Sequence, residues 1–219
     1  MKIFHIMKKG NQDTQFRTIL LKSLTALNKQ NQCENATIYL ASGFFDEIVT
    51  SPRNPISTFQ DNKVNNDIKT LLIGKKVELF GAYNGKTGVL AFGRSLKNAG
   101  TFINVFYKYR FHAKIFVIAI NGKAVFEIIG SSNMTCAAYE GVSAYKGQTI
   151  TSPNYECDLI LMDDNYVNME IKPNEDIMCF SYENSKNNGI SLQVRMQEIL
   201  RHIESLKEKN QLKDITSEL

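Results

Sequence analysis

Phe111-His112-Ala113-Lys114-Ile115-Phe116-Val117-Ile118-Ala119-Ile120-Asn121-Gly122-Lys123-Ala124-Val125-Phe126-Glu127-Ile128-Ile129-Gly130-Ser131-Ser132-Asn133 is the stretch on which the reading of the fold turns. Two runs rich in β-branched and aromatic residues flank Asn-Gly, the dipeptide suited to a two-residue turn with left-handed backbone. The stretch therefore reads as a hairpin, with one strand over 111–120 and a return leg over 124–129. Alternate side chains of a strand share a face, so His112 and Lys114 stand together. The return leg brings Gly130-Ser131-Ser132-Asn133 back beside them, where Ser131 and Asn133 can offer hydroxyl and amide donors. A nucleophile or acid, a fixed cation and two neutral donors make a place to handle phosphate.

Singly, each piece is ordinary. A His and a Lys on one strand usually form the polar face of a sheet, and Gly-Ser-Ser-Asn is a common strand-to-helix turn, here leading into a helix over 134–139. Asn154-Tyr155-Glu156 carries little alone, although the apolar strand Cys157-Asp158-Leu159-Ile160-Leu161-Met162 follows it. Order makes the signal, because the three pieces fall in sequence at successive strand ends.

Outward from the hairpin, helix and strand signals alternate. Phe16, Ile19, Leu20, Leu24 and Leu27 form a helical stripe within 14–30, and a buried strand should span 37–45. Residues 50–66, with Pro52 and Pro55, read as a long loop carrying Arg53 and Lys63, whether as a solvated excursion or as a reach toward substrate. A short helix over 67–73, a strand over 76–83, a helix over 89–98 and a strand over 102–107 come next. This alternation predicts an α/β fold, a mixed β-sheet flanked by helices. Toward the C-terminus Leu192, Met196, Ile199, Ile203 and Leu206 are spaced 4-3-4-3. That stripe fits either a coiled-coil seam or a terminal helix lying on its own sheet. Residues 184–189 before it are polar.

Composition sets the frame. The 219 residues, 43% hydrophobic and 22% charged, suffice for one substantial globular domain. A formal charge of +4, from 26 Lys and Arg against 22 Asp and Glu, suits a polyanion without demanding one. Cys33, Cys136, Cys157 and Cys179 form no C-x-x-C pair, so they read as reduced thiols of a cytoplasmic protein, with no metal site. The N-terminal segment shows no export signal, and no apolar run is long enough to span a membrane. Phe106-Tyr107-Lys108-Tyr109-Arg110-Phe111 interleaves cations with rings, a pattern shared by solvated strand edges and by surfaces that track a phosphodiester backbone. Lys108 and Arg110 are the substrate-binding candidates.

The H-x-K strand, the G-S-x-N turn and the later N-x-E together resemble the phospholipase D superfamily over roughly residues 38–162. In that family an Asp follows the motif Lys by five residues; here the position is Ala119, as in the BfiI-like branch of metal-independent restriction endonucleases. The resemblance implies a phospholipase D-like sandwich, with a catalytic domain over 1–187 and an appended C-terminal helix in 188–219. It implies His112 as nucleophile or acid, Lys114, Ser131 and Asn133 as charge-stabilising groups, and Glu156 as the carboxylate that orients the imidazole. The stretch 141–153 is longer than usual, so Glu140 competes with Glu156 for that role. The superfamily's chemistry uses two histidines, and this chain has one H-x-K; its other histidines, His5 and His202, do not form the motif. The second must then come from another subunit, which implies a homodimer. DNA is the expected partner, in restriction or phage defence, with a separate recognition subunit or domain, no cofactor and no membrane. The same residues would serve a phospholipid or small-diester phosphodiesterase, and the basic surface would serve a non-catalytic nucleic-acid-binding relative.

Overall fold

A nine-stranded mixed sheet organises the computed structural model, which describes residues 1–8, 15–29, 35–43, 45, 48–49, 57–58, 63–81, 83, 85–132, 142–145, 148–151, 156–172, 177–181 and 191–219. In chain order the elements begin with β1 (Lys2–Lys8), α1 (Gln15–Asn28), β2 (Ala36–Ala41), β3 (Ile48–Val49), β4 (Ser57–Thr58), α2 (Lys63–Leu72), β5 (Lys76–Gly81), α3 (Thr87–Asn98) and β6 (Phe102–Tyr107). They continue with β7 (Ile115–Ile120), β8 (Lys123–Gly130), β9 (Val142–Tyr145), β10 (Gln148–Thr151), β11 (Glu156–Met162), β12 (Ile177–Ser181), α4 (Leu192–Glu208) and β13 (Lys213–Asp214). The large sheet runs β12-β1-β11-β8-β7-β2-β5-β6-β13, and a smaller one runs β10-β9-β3-β4. The protein is mixed α/β, as the alternation predicts.

Strands β2, β5 and β6 are parallel, which requires the crossover helices α2 and α3 between them. Helices α1, α2 and α3 cover one face. Ile19, Leu20 and Leu24 of α1, Leu72 of α2 and Phe92 of α3 share a core with Phe4, Ile38, Leu79, Phe116 and Phe126 of the strands. Every residue of the α1 stripe is buried. In the β7–β8 hairpin, Asn121 and Gly122 take φ of 51° and 75°, the left-handed pair that the turn demands.

Helix α4 lies on the opposite face. Ser191 caps it by accepting a hydrogen bond from Val194 N, and Leu192, Met196 and Leu200 pack on Val117, Ala119, Ala124 and Leu161. Further along, Ile203 meets Phe80 and Phe106. The 4-3-4-3 stripe thus serves its own sheet. Gln193 and Gln197 donate from their amides to Ala124 O (2.8 Å) and Gly122 O (3.0 Å), clamping the hairpin tip, while Lys207 donates to the buried Glu78 (2.9 Å).

Glu127 interrupts this apolar layer. On β8 it sits between Val117 and Leu161, the pairs to either side, and it is 0% exposed. Neither of its carboxyl oxygens has a hydrogen-bond partner among the described residues, and burial pushes the group up to about 8.

The structure departs from the sequence reading at several edges. Strand β7 begins at Ile115, not at residue 111, because Arg110 adopts φ 60° and Phe111 N bonds back to Lys108 O (3.1 Å). A turn there leaves 111–114 irregular. Strands β2 and β5 stop at Ala41 and Gly81, short of 45 and 83. Helix α2 starts at Lys63, inside the expected loop, and Arg53 and the helix over 134–139 lie outside the described residues. Strands β1, β12 and β13 are additions that the sequence reading lacks.

Candidate active site

Sheet register gathers the motif at one end of the strands. Ala41 pairs with Ile115, Ile115 with Ile129, and Gly130 with Asp158, while β2 and β5 run parallel with Ala41 beside Phe80. Hence Lys114 just before β7, Ser131 just after β8, Cys157 near the start of β11, and Ser42 and Tyr83 beyond β2 and β5 all emerge at the same edge. This is the carboxyl end of the parallel strands, where open α/β sheets form crevices.

His112 is exposed on the irregular segment and Lys114 is half-buried. Lys114 Nζ lies 2.7 Å from His112 Nε2 and donates to His112 O at 2.9 Å. An ammonium has only donors, so Nε2 is the acceptor and the imidazole proton sits on Nδ1. In that tautomer the Nε2 lone pair faces the cation. The Tyr83 ring packs against the imidazole at 5.0 Å and 57°.

The return leg is tied down tightly. Gly130 N donates to Lys114 O (3.2 Å), Ser131 N donates to Cys157 O (3.1 Å), and Ser131 Oγ accepts from Cys157 N (2.9 Å). The Ser131 hydroxyl is thereby fixed against β11. Behind it, Ser132 donates from its backbone N to Asp158 Oδ1 (3.2 Å) and from Oγ to Oδ2 (2.5 Å). Asp158 is 2% exposed and lines a small pocket with Phe16, Lys114, Phe116, Ile128 and Ser132. Only glycine fits at 130, where a Cβ would collide with Asp158 Oδ1 and Cys157 O. Sequence reasoning missed Asp158; its one signal was a carboxylate set inside the apolar run 157–162.

Asn133 and Glu140 lie outside the described residues. Glu156 opens β11 next to Cys157, and its side chain is likewise outside them. Lys108 and Arg110 are exposed on the turn leading to His112, with no ion-pair partner among the described residues, and the Arg110 guanidinium lies over the Tyr109 ring at 5.4 Å. Of the other histidines, His5 sits on β1 with Nε2 2.8 Å from Cys157 Sγ, and His202 is exposed on α4. Among the described residues no three His, Cys, Asp or Glu side chains cluster as metal ligands, and no helix is long and apolar enough to cross a membrane.

No protein-family model matches the chain, and no curated protein matches it in sequence. Solved structures similar to it include yeast tyrosyl-DNA phosphodiesterase, 9% identical with a TM-score of 0.40, over 76% of this chain and 48% of that one. Polyphosphate kinase from Porphyromonas gingivalis is 12% identical (TM-score 0.38), over 92% of this chain and 28% of that one. TrmBL2, an archaeal chromatin protein, is 14% identical (TM-score 0.34), over 74% and 47%. The chain spans about half or less of each of these proteins. At such identities and scores the likenesses assign neither family nor activity.

Proposed function

We propose that the protein is a phosphodiesterase of the phospholipase D type acting on DNA as a metal-independent endonuclease, in restriction or phage defence. The observation that carries this reading is the His112–Lys114 pair, 2.7 Å apart and seated beside the Gly130–Ser132 turn by the hairpin register. His112 Nε2 attacks phosphorus and the bond from phosphorus to the leaving oxygen breaks. That oxygen takes a proton from a second imidazolium. Water then attacks the phosphohistidine, gives its proton to the second imidazole, and releases His112. Lys114 transfers its hydrogen bonds to a phosphate oxygen in the transition state, with Ser131 and Asn133 as neutral donors. Glu156 accepts from Nδ1–H, the tautomer that the Lys114 contact requires.

The second imidazole is His112 of another copy, placed across a twofold axis. His112's exposure supports this, since a buried imidazole could not meet a partner's. Lys108 and Arg110 track the backbone on the approach, and a separate subunit or domain supplies sequence recognition. The test is plasmid cleavage with and without EDTA, beside a His112→Ala variant. Cleavage that survives EDTA and is lost in the variant is expected. Abolition by EDTA with rescue by magnesium, or near-normal cleavage by His112→Ala, would overturn the proposal.

A further inference from the structure

Around His112 the exposed side chains are aromatic as well as cationic. Tyr109 is 63% exposed and Tyr83 39%. Tyr109 is no loose ornament: Phe111 packs against the Ala41, Phe80 and Phe106 cluster, Phe111 N bonds to Lys108 O, and Lys108 N bonds to Gly81 O (3.3 Å). The left-handed Arg110 between them turns Phe111 toward the core and Tyr109 toward solvent. Tyr83 is fixed in turn by its backbone N, which donates to Gly43 O (2.7 Å). An anchored ring held in water forgoes burial that it could otherwise gain, and it suits binding because little freedom is left to lose.

We infer that the nucleic acid taken by this site is single-stranded where it meets His112, with unpaired bases stacking on Tyr109 and Tyr83; the inference rests on the phosphodiesterase reading above. In a duplex each base face is covered by its neighbours, so rings standing beside the phosphate-handling groups reach a base face only where the strand is unstacked. Lys108, Arg110 and Lys114 supply the backbone charge, and rings interleaved with cations are the chemistry of single-strand grooves, where stacking tolerates any sequence. A duplex would engage the same cations through its phosphates but leave the two rings without a base face to stack on.

The experiment compares a fluorescein-labelled 20-nucleotide DNA of mixed sequence with its duplex. Cleavage is measured with the wild-type protein, and binding by anisotropy with His112→Ala, which removes the nucleophile and leaves Tyr109, Lys108 and Arg110 in place. At least tenfold faster cleavage and tighter binding of the single strand is expected. Tyr109→Ala and Tyr83→Ala, each added to the His112→Ala background, should weaken single-strand binding about tenfold, ~1.4 kcal/mol. Tyr109→Phe should not. Equal handling of both forms, or single-strand affinity unmoved by both alanines, overturns the inference and leaves the phosphodiesterase reading standing. Preferential single-strand binding that the alanines weaken, without cleavage of either form by wild type, overturns the nuclease reading and supports the platform. Binding of neither form overturns both.

Discussion

Replacing Glu127 by Met should stabilise the protein, by an amount that grows with pH. The folded carboxyl keeps its proton up to about 8, against an ordinary value of 4.5 in the unfolded chain. Between those values unfolding releases a proton, so wild-type stability falls as pH rises through the window. The penalty is absent below about 4.5 and complete above about 8. At about pH 7 the difference amounts to roughly 3 kcal/mol, and at about pH 5 to roughly 1 kcal/mol. To this the unpartnered carboxyl adds a pH-independent cost of about 1–3 kcal/mol. Methionine has a similar volume and suits a place between Val117 and Leu161, so it removes both terms. Urea unfolding followed by circular dichroism at several pH values would measure this. With a slope of about 2 kcal/mol per molar urea, the midpoint gap between variant and wild type should widen by roughly 1 M from about pH 5 to about pH 7. A gap that does not change with pH, or a variant less stable than wild type at neutral pH, would refute the reasoning. Glu127→Gln should lose the pH slope yet keep an unsatisfied amide, and so match wild type only below about pH 4.5, where the wild-type carboxyl is protonated in both states.

Mixing His112→Ala subunits with wild type should lower cleavage with the square of the wild-type fraction, since a composite site needs both imidazoles; a linear fall would show that each chain works alone. Gly130→Ala should destabilise by roughly 3 kcal/mol or more and unseat Ser131, because the added methyl meets Asp158 and the β11 backbone, not open space. Thermal melting checks the first effect, and an unchanged melting temperature would contradict the crowding at that turn.

The hairpin was legible because three signals agreed: β-rich runs, Asn121-Gly122 between them, and the length of each leg. Strand β6 and the buried stripe of α1 followed from period alone. The α4 stripe fixed a helix but not its neighbour, since a coiled-coil partner and the protein's own sheet select the same residues. Strand β1 escaped notice because Phe4 and Ile6 alternate with His5 and Met7, a faint period-two pattern whose interior place is set by strands some 150 residues away. The Asp158–Ser132 bond was hidden for a related reason: it exists only once β8 and β11 adopt their register. Alternation put His112 and Lys114 on one face of a strand, whereas the two meet on an irregular backbone that the sequence reading lacked. It comes from the left-handed Arg110, a conformation that local propensity does not forecast.

The place of β1 between β11 and β12 bears on how the molecule is born. The β7–β8 hairpin closes over two residues and can zip as soon as residues 111–130 leave the ribosome. By contrast β1, made well before them, must wait unpaired until β11 and β12 have been synthesised, since both its neighbours come from there. Such long loop closures slow folding. During that wait the Gly130–Ser132 turn lacks the β11 backbone and Asp158 that hold it, so the nascent chain carries its histidine and lysine without the buttress behind the turn. Synthesis order thus keeps the His112 and Lys114 end of the sheet incompletely assembled until β11 is made, and leaves an unpaired strand that a chaperone would find waiting.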